Sequence, residues 1–346
     1  MLITVIERII KKYKVRLCVL LKLKYLFDNK DLALMILENW DYDKSESDPL
    51  KFFRISSNAI YIFENNGENI FLRFTPSEEK SKDSIMAELE FLSYLRNNGY
   101  PTVETLLSKS GNELEVVDTP WGVYYAVAFK EVPGRPLSRI SLTEDIIFHY
   151  GKSLGKLHKL SCEYIPSQKP CKGWMDTLIW MEDTLSNFPD ESAARNELNI
   201  LREYFLNLPS TKENFGLIHY DFETDNVFYN KTTNSYHPID FDDGLYHWYA
   251  MDIVQAIESI KDTIEDDNID SFLEKFISGY NTEYNISHDM IKLLPIFRRY
   301  ADLYSYVRLL RSLKDTWNNE PEWMVGLRIK LNNFLNITKD NFGRPI

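Results

Sequence analysis

The sequence has little cysteine and no long apolar run. Its three thiols, Cys18, Cys162 and Cys171, form no Cys-x-x-Cys pair, which excludes a disulfide or zinc framework and suits a reducing compartment. The apolar stretch at 15–27 is interrupted by basic residues and is too short to span a bilayer about 30 Å thick. We therefore expect a cytoplasmic protein that does not span a membrane, and we disfavour membrane contact.

Positive charge is also scarce. The chain has 40 Lys and Arg against 52 Asp and Glu, a formal net charge of -12. Nucleic acids and anionic lipids need cationic surfaces, so this balance disfavours both and leaves neutral or cationic small molecules as easier ligands. Basic residues nevertheless cluster within 1–30. This segment is either an extra helix or a frayed extension packed on the N-terminal part of the fold, or a surface that contacts a membrane or a partner.

The length, 346 residues, exceeds one typical core and favours two packed lobes or a domain with an extension. Hydrophobic residues at 44% and charged residues at 27% are ordinary globular usage. The sequence contains no internal repeat and no low-complexity linker. A large enzyme fits these bounds, whereas a fibrous or disordered chain does not.

The pattern between residues 52 and 134 is typical of a small antiparallel sheet. Two β-rich runs at 58–63 and 69–74 flank Asn65-Asn66-Gly67, the strongest local signal for a hairpin. Pro76 ends the second strand, and a helix capped within 81–84 follows. Further strands are predicted at 113–117 and 122–130, before a Pro-Gly turn.

After Pro136 the pattern becomes helical, interrupted by two short apolar runs at 215–219 and 237–241 that predict strands. The predicted helices cover 145–160, 174–185, 194–206, 250–264, 270–280 and 287–313. We therefore predict an α+β fold with a sheet-rich N-lobe and a mainly helical C-lobe. The expected divisions are a basic helical extension at 1–37, an N-lobe at 38–131 and a C-lobe at 132–346.

Two acidic clusters occur where these apolar strands end. Asp221 is followed five residues later by Asn226, and Asp240 ends the second strand. Phosphoryl transfer needs a carboxylate near the attacking hydroxyl and oxygen ligands that hold Mg²⁺ against the β- and γ-phosphates. A lone His-x-Asp is more often a cap or a loop hydrogen bond. The spacing and the second strand-end Asp favour a kinase-type site.

The motif His219-x-Asp221-x-x-x-x-Asn226, with Ile-Asp-Phe-Asp at 239–242, resembles the signature of the aminoglycoside phosphotransferase and choline kinase family. The resemblance implies a two-lobed protein-kinase-like fold and use of ATP or GTP with Mg²⁺. It implies that Asp221 is the catalytic base or orienter, that Asn226 and Asp240 are the metal ligands, and that His219 is structural. Asp252 resembles the acidic residue that braces this loop.

The same resemblance implies a nucleotide clamp in the N-lobe. Arg73 and Glu88 resemble the family's strand lysine and helix glutamate, with Glu90 as a competitor for the helix role. Arginine departs from the commoner lysine but keeps the charge. The plainer alternative is an exposed strand arginine and a solvated glutamate.

Ser56, Ser57 and Asn58 resemble the family's replacement for a Gly-rich phosphate loop, although Ser and Asn before a strand are also ordinary turn formers. The segment Lys130, Glu131 and Val132 stands where the hinge should meet adenine. These assignments complete the predicted cofactor-binding set.

Two positions beside the motif need their own interpretation. Relatives often have glycine where this chain has Tyr220, so its side chain could reshape the substrate mouth. Asp242 could assist the metal, or it could be a solvated loop charge like other nearby carboxylates.

The acceptor is not specified by the sequence. An acidic run at 265–267 could attract a polycation, and Trp174, Tyr246, Trp248 and Tyr249 could form a cage for a cationic group, but solvated loop charge and core packing are the plainer explanations. The predicted function is an ATP-dependent phosphotransferase acting on a hydroxyl of an aminoglycoside-like antibiotic, an amino alcohol, a sugar or an amino acid. The alternative is a non-catalytic protein of the same fold.

A protein kinase is less consistent with the sequence, because no activation segment ending in an Ala-Pro-Glu-like motif follows Asp240. Oligomeric state is not indicated by any pattern.

Overall fold

The computed structural model describes residues 22, 25, 29–44, 48–167, 171–264, 269–316 and 318–345. Most of the basic N-terminal stretch and the acidic run at 265–267 lie outside these residues. The helices are α1 (Lys30–Leu37), α2 (Lys82–Asn97), α3 (Glu144–Glu163), α4 (Trp174–Leu185), α5 (Ser192–Asn207), α6 (Ala250–Thr263), α7 (Ile269–Asn281), α8 (His288–Lys292), α9 (Leu294–Leu313) and α10 (Glu322–Lys339). The strands are β1 (Lys51–Ile55), β2 (Ala59–Asn65), β3 (Glu68–Pro76), β4 (Thr105–Leu106), β5 (Glu115–Thr119), β6 (Gly122–Lys130), β7 (Arg135–Pro136), β8 (Phe215–Ile218), β9 (Val227–Asn230), β10 (Ser235–Pro238) and β11 (Leu245–Trp248).

The first half of the chain forms a six-stranded antiparallel sheet in the order β1-β2-β3-β6-β4, with β5 also paired to β6. The predicted hairpin joins β2 to β3, and its turn residues Asn66 and Gly67 have positive φ values of 53° and 77°. Such turns match the twist of the flanking strands, which explains the Asn-Gly signal. We call this sheet with α1 and α2 the sheet lobe.

The two faces of the sheet are covered by different helices. On one face, Leu72 and Phe74 are buried with Ile36 of α1. On the other, Val127 pairs with Arg73 across β3 and β6 and is buried with Leu89 of α2. Side chains alternate across a strand, so Arg73 faces α2, on the side opposite to Leu72.

The helical lobe, which comprises the elements from β7 onward, is predominantly helical, as predicted. Helices α3 and α7 approach each other at two glycines. A Cβ on Gly151 would overlap the backbone carbonyl of Phe276, and one on Gly279 would overlap that of Phe148. Only glycine permits this backbone contact. Among the described residues, no helix is both long and apolar enough to cross a membrane.

Two helix predictions were incomplete. The helix expected at 287–313 is divided into α8 and α9, with Pro295 in the first turn of α9. Proline has no N–H to donate and disfavours helical backbone in the residue before it, so a break at this point is expected. Helix α10 was not predicted, although its buried Met324, Leu327 and Leu331 recur at helical spacing.

The candidate motif lies on two small sheets of the helical lobe. Strands β8 and β11 pair with each other, and β9 pairs with both β10 and β7. Asp221 follows β8, and Asp240 follows β10 and precedes a short 3₁₀ turn, Phe241–Asp243. The motif's two halves therefore enter one region from two strand ends. Phe241 also meets Phe91 of α2, with ring centroids 6.1 Å apart, which connects the site to the sheet lobe.

Candidate active site

Asp221 and Asn226 are in direct contact. The Asn226 side-chain Nδ2 donates to Asp221 Oδ2 at 2.7 Å and to the Asp221 backbone carbonyl at 3.1 Å. These two bonds fix the orientation of the Asp221 carboxylate. Because an amide's nitrogen and oxygen point in different directions, Asn226 Oδ1 is the atom left for a metal.

His219 connects the loop after β8 to the strand end before Asp240. Its Nε2 donates to the Ile239 carbonyl at 2.9 Å, and its Nδ1 accepts from the Asp221 backbone amide at 3.2 Å. The ring is fully buried, and burial lowers the pKa of His219. A neutral ring with its proton on Nε2 satisfies both bonds. The predicted structural role of His219 is therefore visible in its contacts.

Asp252, on the first turn of α6, stabilises the same loop by hydrogen bonds to its backbone. Its two oxygens accept the backbone amides of His219 at 2.9 Å and Tyr220 at 2.6 Å. His158 Nε2 donates to it at 3.1 Å and in turn accepts from the Tyr280 hydroxyl through Nδ1 at 2.8 Å. The Asp252 and His158 side chains are both fully buried. The predicted brace is thus a buried hydrogen-bond network.

Two non-glycine residues of the motif have left-handed backbone conformations. Tyr220 has φ 69° and Asp240 has φ 67°. Side chains rarely adopt this region, and for a bulky residue it is strained. Glycine adopts this conformation without strain, so the backbone at position 220 is of the kind that favours glycine. The Tyr220 ring is only 4% exposed and packs edge-on against Tyr304, so it lies in the core of the helical lobe.

Asp240 and Asp242 are each contacted by side chains of the sheet lobe. Arg54 Nη2 lies 2.5 Å from Asp240 Oδ2. Asp242 Oδ2 accepts Asn58 Nδ2 at 2.6 Å and is also paired with Lys80. Arg54 and Lys80 were missed by the sequence reasoning, because neither belongs to a spaced motif and both act across more than 160 residues of chain.

The carboxylates of the site have divergent proton affinities. Burial, reinforced by the charges of Glu223 and Asp225, raises the pKa of Asp221 well above its usual value. Burial and the Asp242 charge raise the pKa of Asp240 to about 7, although Arg54 opposes them. For Asp242, burial works in the same upward direction, but Lys80 and other cations outweigh it and lower the pKa. The site concentrates negative charge that a cation would relieve.

Arg73 and Glu88 form the pair expected from the sequence. Arg73 Nη1 and Nη2 lie 2.8 and 2.7 Å from the two carboxylate oxygens of Glu88, and both residues are buried. The Arg73 guanidinium also lies 4.8 Å from the centroid of the Phe129 ring. The competitor Glu90 instead accepts the Ser167 backbone amide at 2.5 Å.

The other predicted nucleotide contacts differ in how they are placed. Ser57 and Asn58 are buried directly before β2, and the Asn58 side chain donates to Asp242. In the hinge, the Lys130 amide donates to the Glu104 carbonyl at 2.8 Å and the Glu131 amide to the Asn69 carbonyl at 3.2 Å. The Val132 amide is therefore the better candidate donor for adenine.

A further ion pair, between Arg308 and Asp243, lies close to the motif. Arg308 of α9 contacts both oxygens of Asp243 at 3.1 Å and stacks 4.8 Å from the Tyr304 ring centroid. Sequence reasoning did not identify Arg308. Trp248 and Tyr249 are at most 3% exposed, so these two aromatics are core residues. Within the described residues they do not form an open cage.

The donor atoms suit a hard cation. Asn226, Asp240 and Asp242 offer amide and carboxylate oxygens, the ligand type that Mg²⁺ prefers. Over the described part of the chain, no three His, Cys, Asp or Glu side chains are grouped to hold a metal by themselves. A nucleotide's phosphates would have to complete the coordination, which is the usual arrangement for Mg²⁺.

The chain is similar to known proteins in both sequence and structure. A model of the phosphotransferase enzyme family, APH, matches residues 50–288, more than half of the chain. Amicoumacin kinase of Bacillus subtilis (strain 168) is 23% identical over 337 residues, covering 92% of this chain and 97% of that protein.

Two solved structures are similar in fold. An amicoumacin kinase in complex with AMP-PNP, Ca²⁺ and Ami has a TM-score of 0.75 at 18% identity, covering 93% of this chain and 97% of that one. A microcompartment-associated aminopropanol kinase has a TM-score of 0.68 at 21% identity, covering 89% and 95%. These likenesses establish the kinase-like fold, an antiparallel sheet followed by a mainly helical region.

Proposed function

This chain belongs to the APH phosphotransferase enzyme family. We propose that it transfers the γ-phosphate of ATP to a hydroxyl of a small, amine-bearing acceptor, which binds beside Asp221. As a member of that family it is a small-molecule kinase. The predicted domain divisions, with an N-lobe at 38–131 and a C-lobe at 132–346, are proposed as its two working parts.

The observation that carries the proposal is the convergence of the motif. Asp221 is held by Asn226 at 2.7 Å, and His219 bonds to both the Asp221 amide and the carbonyl that precedes Asp240. Two strand ends are thus tied into one unit. A carboxylate, an amide oxygen and a second carboxylate at such a junction suit phosphoryl transfer.

Each residue then has a defined task. Asp221 orients the acceptor hydroxyl and takes its proton, and its raised pKa makes it a better base than an exposed aspartate. Asn226 and Asp240 would hold Mg²⁺, with Asp242 beside them. The metal, when bound, neutralises charge on the β- and γ-phosphates.

The sheet lobe would hold the nucleotide. Arg73, oriented by Glu88, supplies a fixed positive charge for the phosphates. Ser56, Ser57 and Asn58 offer hydroxyl, amide and backbone donors above the phosphates. The Val132 backbone is proposed to meet the adenine edge.

The acceptor is proposed to carry an amine as well as a hydroxyl. The charges of Glu223 and Asp225 act on Asp221, so the acceptor side is acidic and favours a cation. One similar structure is named an aminopropanol kinase, and others are named phosphotransferases of aminoglycosides. The names of similar proteins and structures also mention amicoumacin, spectinomycin and streptomycin, so these three compounds and aminopropanol are the first to test.

The experiment is a screen of ADP release from ATP and Mg²⁺ with these four acceptors and with matched alcohols lacking the amine. Asp221→Asn serves as the control for contaminating kinases. Release that needs an amine-bearing acceptor and disappears in Asp221→Asn supports the proposal. ATP binding without acceptor-dependent release, over a broad panel of alcohols, would contradict it.

A further inference from the structure

The contact that the proposed mechanism does not use is the one between Arg54 and Asp240. Arg54 Nη2 lies 2.5 Å from Asp240 Oδ2, and its side chain is 29% exposed against 12% for Asp240. A residue proposed as a metal ligand is therefore already occupied by a cation from the opposite lobe. A guanidinium and a metal ion that share one carboxylate oxygen compete for it, and each is bound less strongly than it would be alone.

The strand that carries Arg54 is shaped to make this contact. Register between β1 and β2 shifts between Phe52 and Arg54, which marks a bulge. Bulges re-aim side chains at the ends of sheets and beside functional sites. Arg54 lies two residues before Ser56, the first residue of the proposed phosphate segment, and its guanidinium extends to Asp240.

The surroundings of Arg54 are acidic on the helical-lobe side. Besides Asp240, which Arg54 contacts directly, the carboxylates of Asp221, Asp225 and Asp242 act on its charge. Its Nε is buried and has no hydrogen-bond partner among the described residues. Arg73, in contrast, has a complete bidentate partner, Glu88, within its own lobe. Arg54 is thus incompletely satisfied and is held chiefly by charge.

We propose that Arg54 is the counter-ion of Asp240 in the candidate metal site before nucleotide binds. When metal and nucleotide bind, Asp240 would become a ligand of the metal, and Arg54 would leave Asp240 and contact a phosphate oxygen. The inference rests on the proposed function, in which Asp240 is a metal ligand. It explains how the buried Asp240 is compensated beside the other carboxylates of the site. It also predicts that a divalent cation alone binds weakly, because it must displace a charge that is already in place.

The test compares two affinities of Arg54→Gln with those of the wild type. Free Mn²⁺, counted by electron paramagnetic resonance without nucleotide, should bind about tenfold more tightly to Arg54→Gln, since a competing cation is removed. AMP-PNP with Mg²⁺ should bind about tenfold more weakly, since a phosphate contact is lost. A purely structural ion pair would lower both affinities or neither. The matched control is Lys51→Gln, which removes an exposed cation from the same strand and should leave both affinities unchanged.

Opposite changes in the two affinities support the proposal, and equal or same-direction changes overturn it. If Arg54→Gln does not fold, a crystal structure of the wild type with Mn²⁺ and AMP-PNP decides. Arg54 away from Asp240 and on a phosphate oxygen is expected. Arg54 still paired with Asp240 beside bound nucleotide would overturn the proposal. The two affinities do not depend on the identity of the acceptor. A negative result in the acceptor screen therefore counts against the proposed function alone, and the affinities of Arg54→Gln test the Arg54 proposal alone.

Discussion

The two lobes hold the charged side chains of the site in different ways. The helical lobe contributes carboxylates on short loops that buried hydrogen bonds fix, as Asp252 does for the amides of His219 and Tyr220. The sheet lobe contributes cations on long side chains, and Arg54 and Lys80 reach across to Asp240 and Asp242. Under the proposed function, the chemical step belongs to the helical lobe, and the sheet lobe supplies the charge that meets the phosphates.

The comparison predicts that the buried brace is the most costly element to break. Asp252→Ala leaves two backbone amides and His158 without their shared acceptor, and breaking a buried charged network costs about 3–5 kcal/mol. Urea unfolding followed by circular dichroism measures the loss. Asp289→Ala, at a side chain 90% exposed, is the control and should change stability little. A loss for Asp252→Ala no larger than the control's would show that the loop does not depend on this brace.

A substitution of Asp221 tests whether the helical lobe supplies the chemical step without contributing to nucleotide affinity. Asp221→Asn keeps the shape of the side chain and its contact with Asn226 but removes the base, so kcat should fall by roughly 100-fold or more. The dissociation constant for ATP, measured by calorimetry, should change little. Loss of nucleotide binding with unchanged kcat would reverse the assignment of chemistry to the helical lobe.

On the sheet-lobe side, Arg73→Lys tests whether a charge alone is sufficient. Lysine keeps the charge but loses the bidentate contact with Glu88 and the stacking on Phe129, so KM for ATP should rise about tenfold while kcat changes less. Steady-state kinetics with varied ATP measure it. Arg139→Lys, at an exposed position, is the control. A large fall in kcat with unchanged KM would place Arg73 in the chemical step.

The smallest expected effect concerns Tyr220. Its hydroxyl is buried and has no hydrogen-bond partner among the described residues. Tyr220→Phe removes that unsatisfied group and keeps the ring against Tyr304, so the free energy of unfolding should rise by about 1 kcal/mol. Thermal unfolding measures it. A clear loss of stability would mean that the hydroxyl has a partner.

The sequence predicted the parts of the fold that local chemistry decides. The Asn66-Gly67 hairpin, the helix capped by Ser81 and the acidic loop at Asp221 all depend on residues near one another in the chain. Helix α10 was also predictable, because its apolar residues recur at helical spacing, although it was not predicted.

What the sequence could not predict depends on contacts between distant segments. Arg54 and Asp240 are 186 residues apart, and Arg308 and Asp243 are 65 apart, so no spacing reveals either pair. Arg73 and Glu88 were paired correctly because both lie in one β3–α2 unit, whose local geometry the resemblance fixes. The roles of Arg73 and Glu88 in nucleotide binding remain predictions.

The account depends on Asp240 and Asn226 holding a divalent cation against a nucleotide. Calorimetric titration of ATP into the wild type and into Asp240→Asn, each with and without Mg²⁺, measures this directly. The wild type should bind ATP much more tightly with Mg²⁺, and Asp240→Asn should gain little from the metal. An equal gain from Mg²⁺ in both proteins would contradict the account.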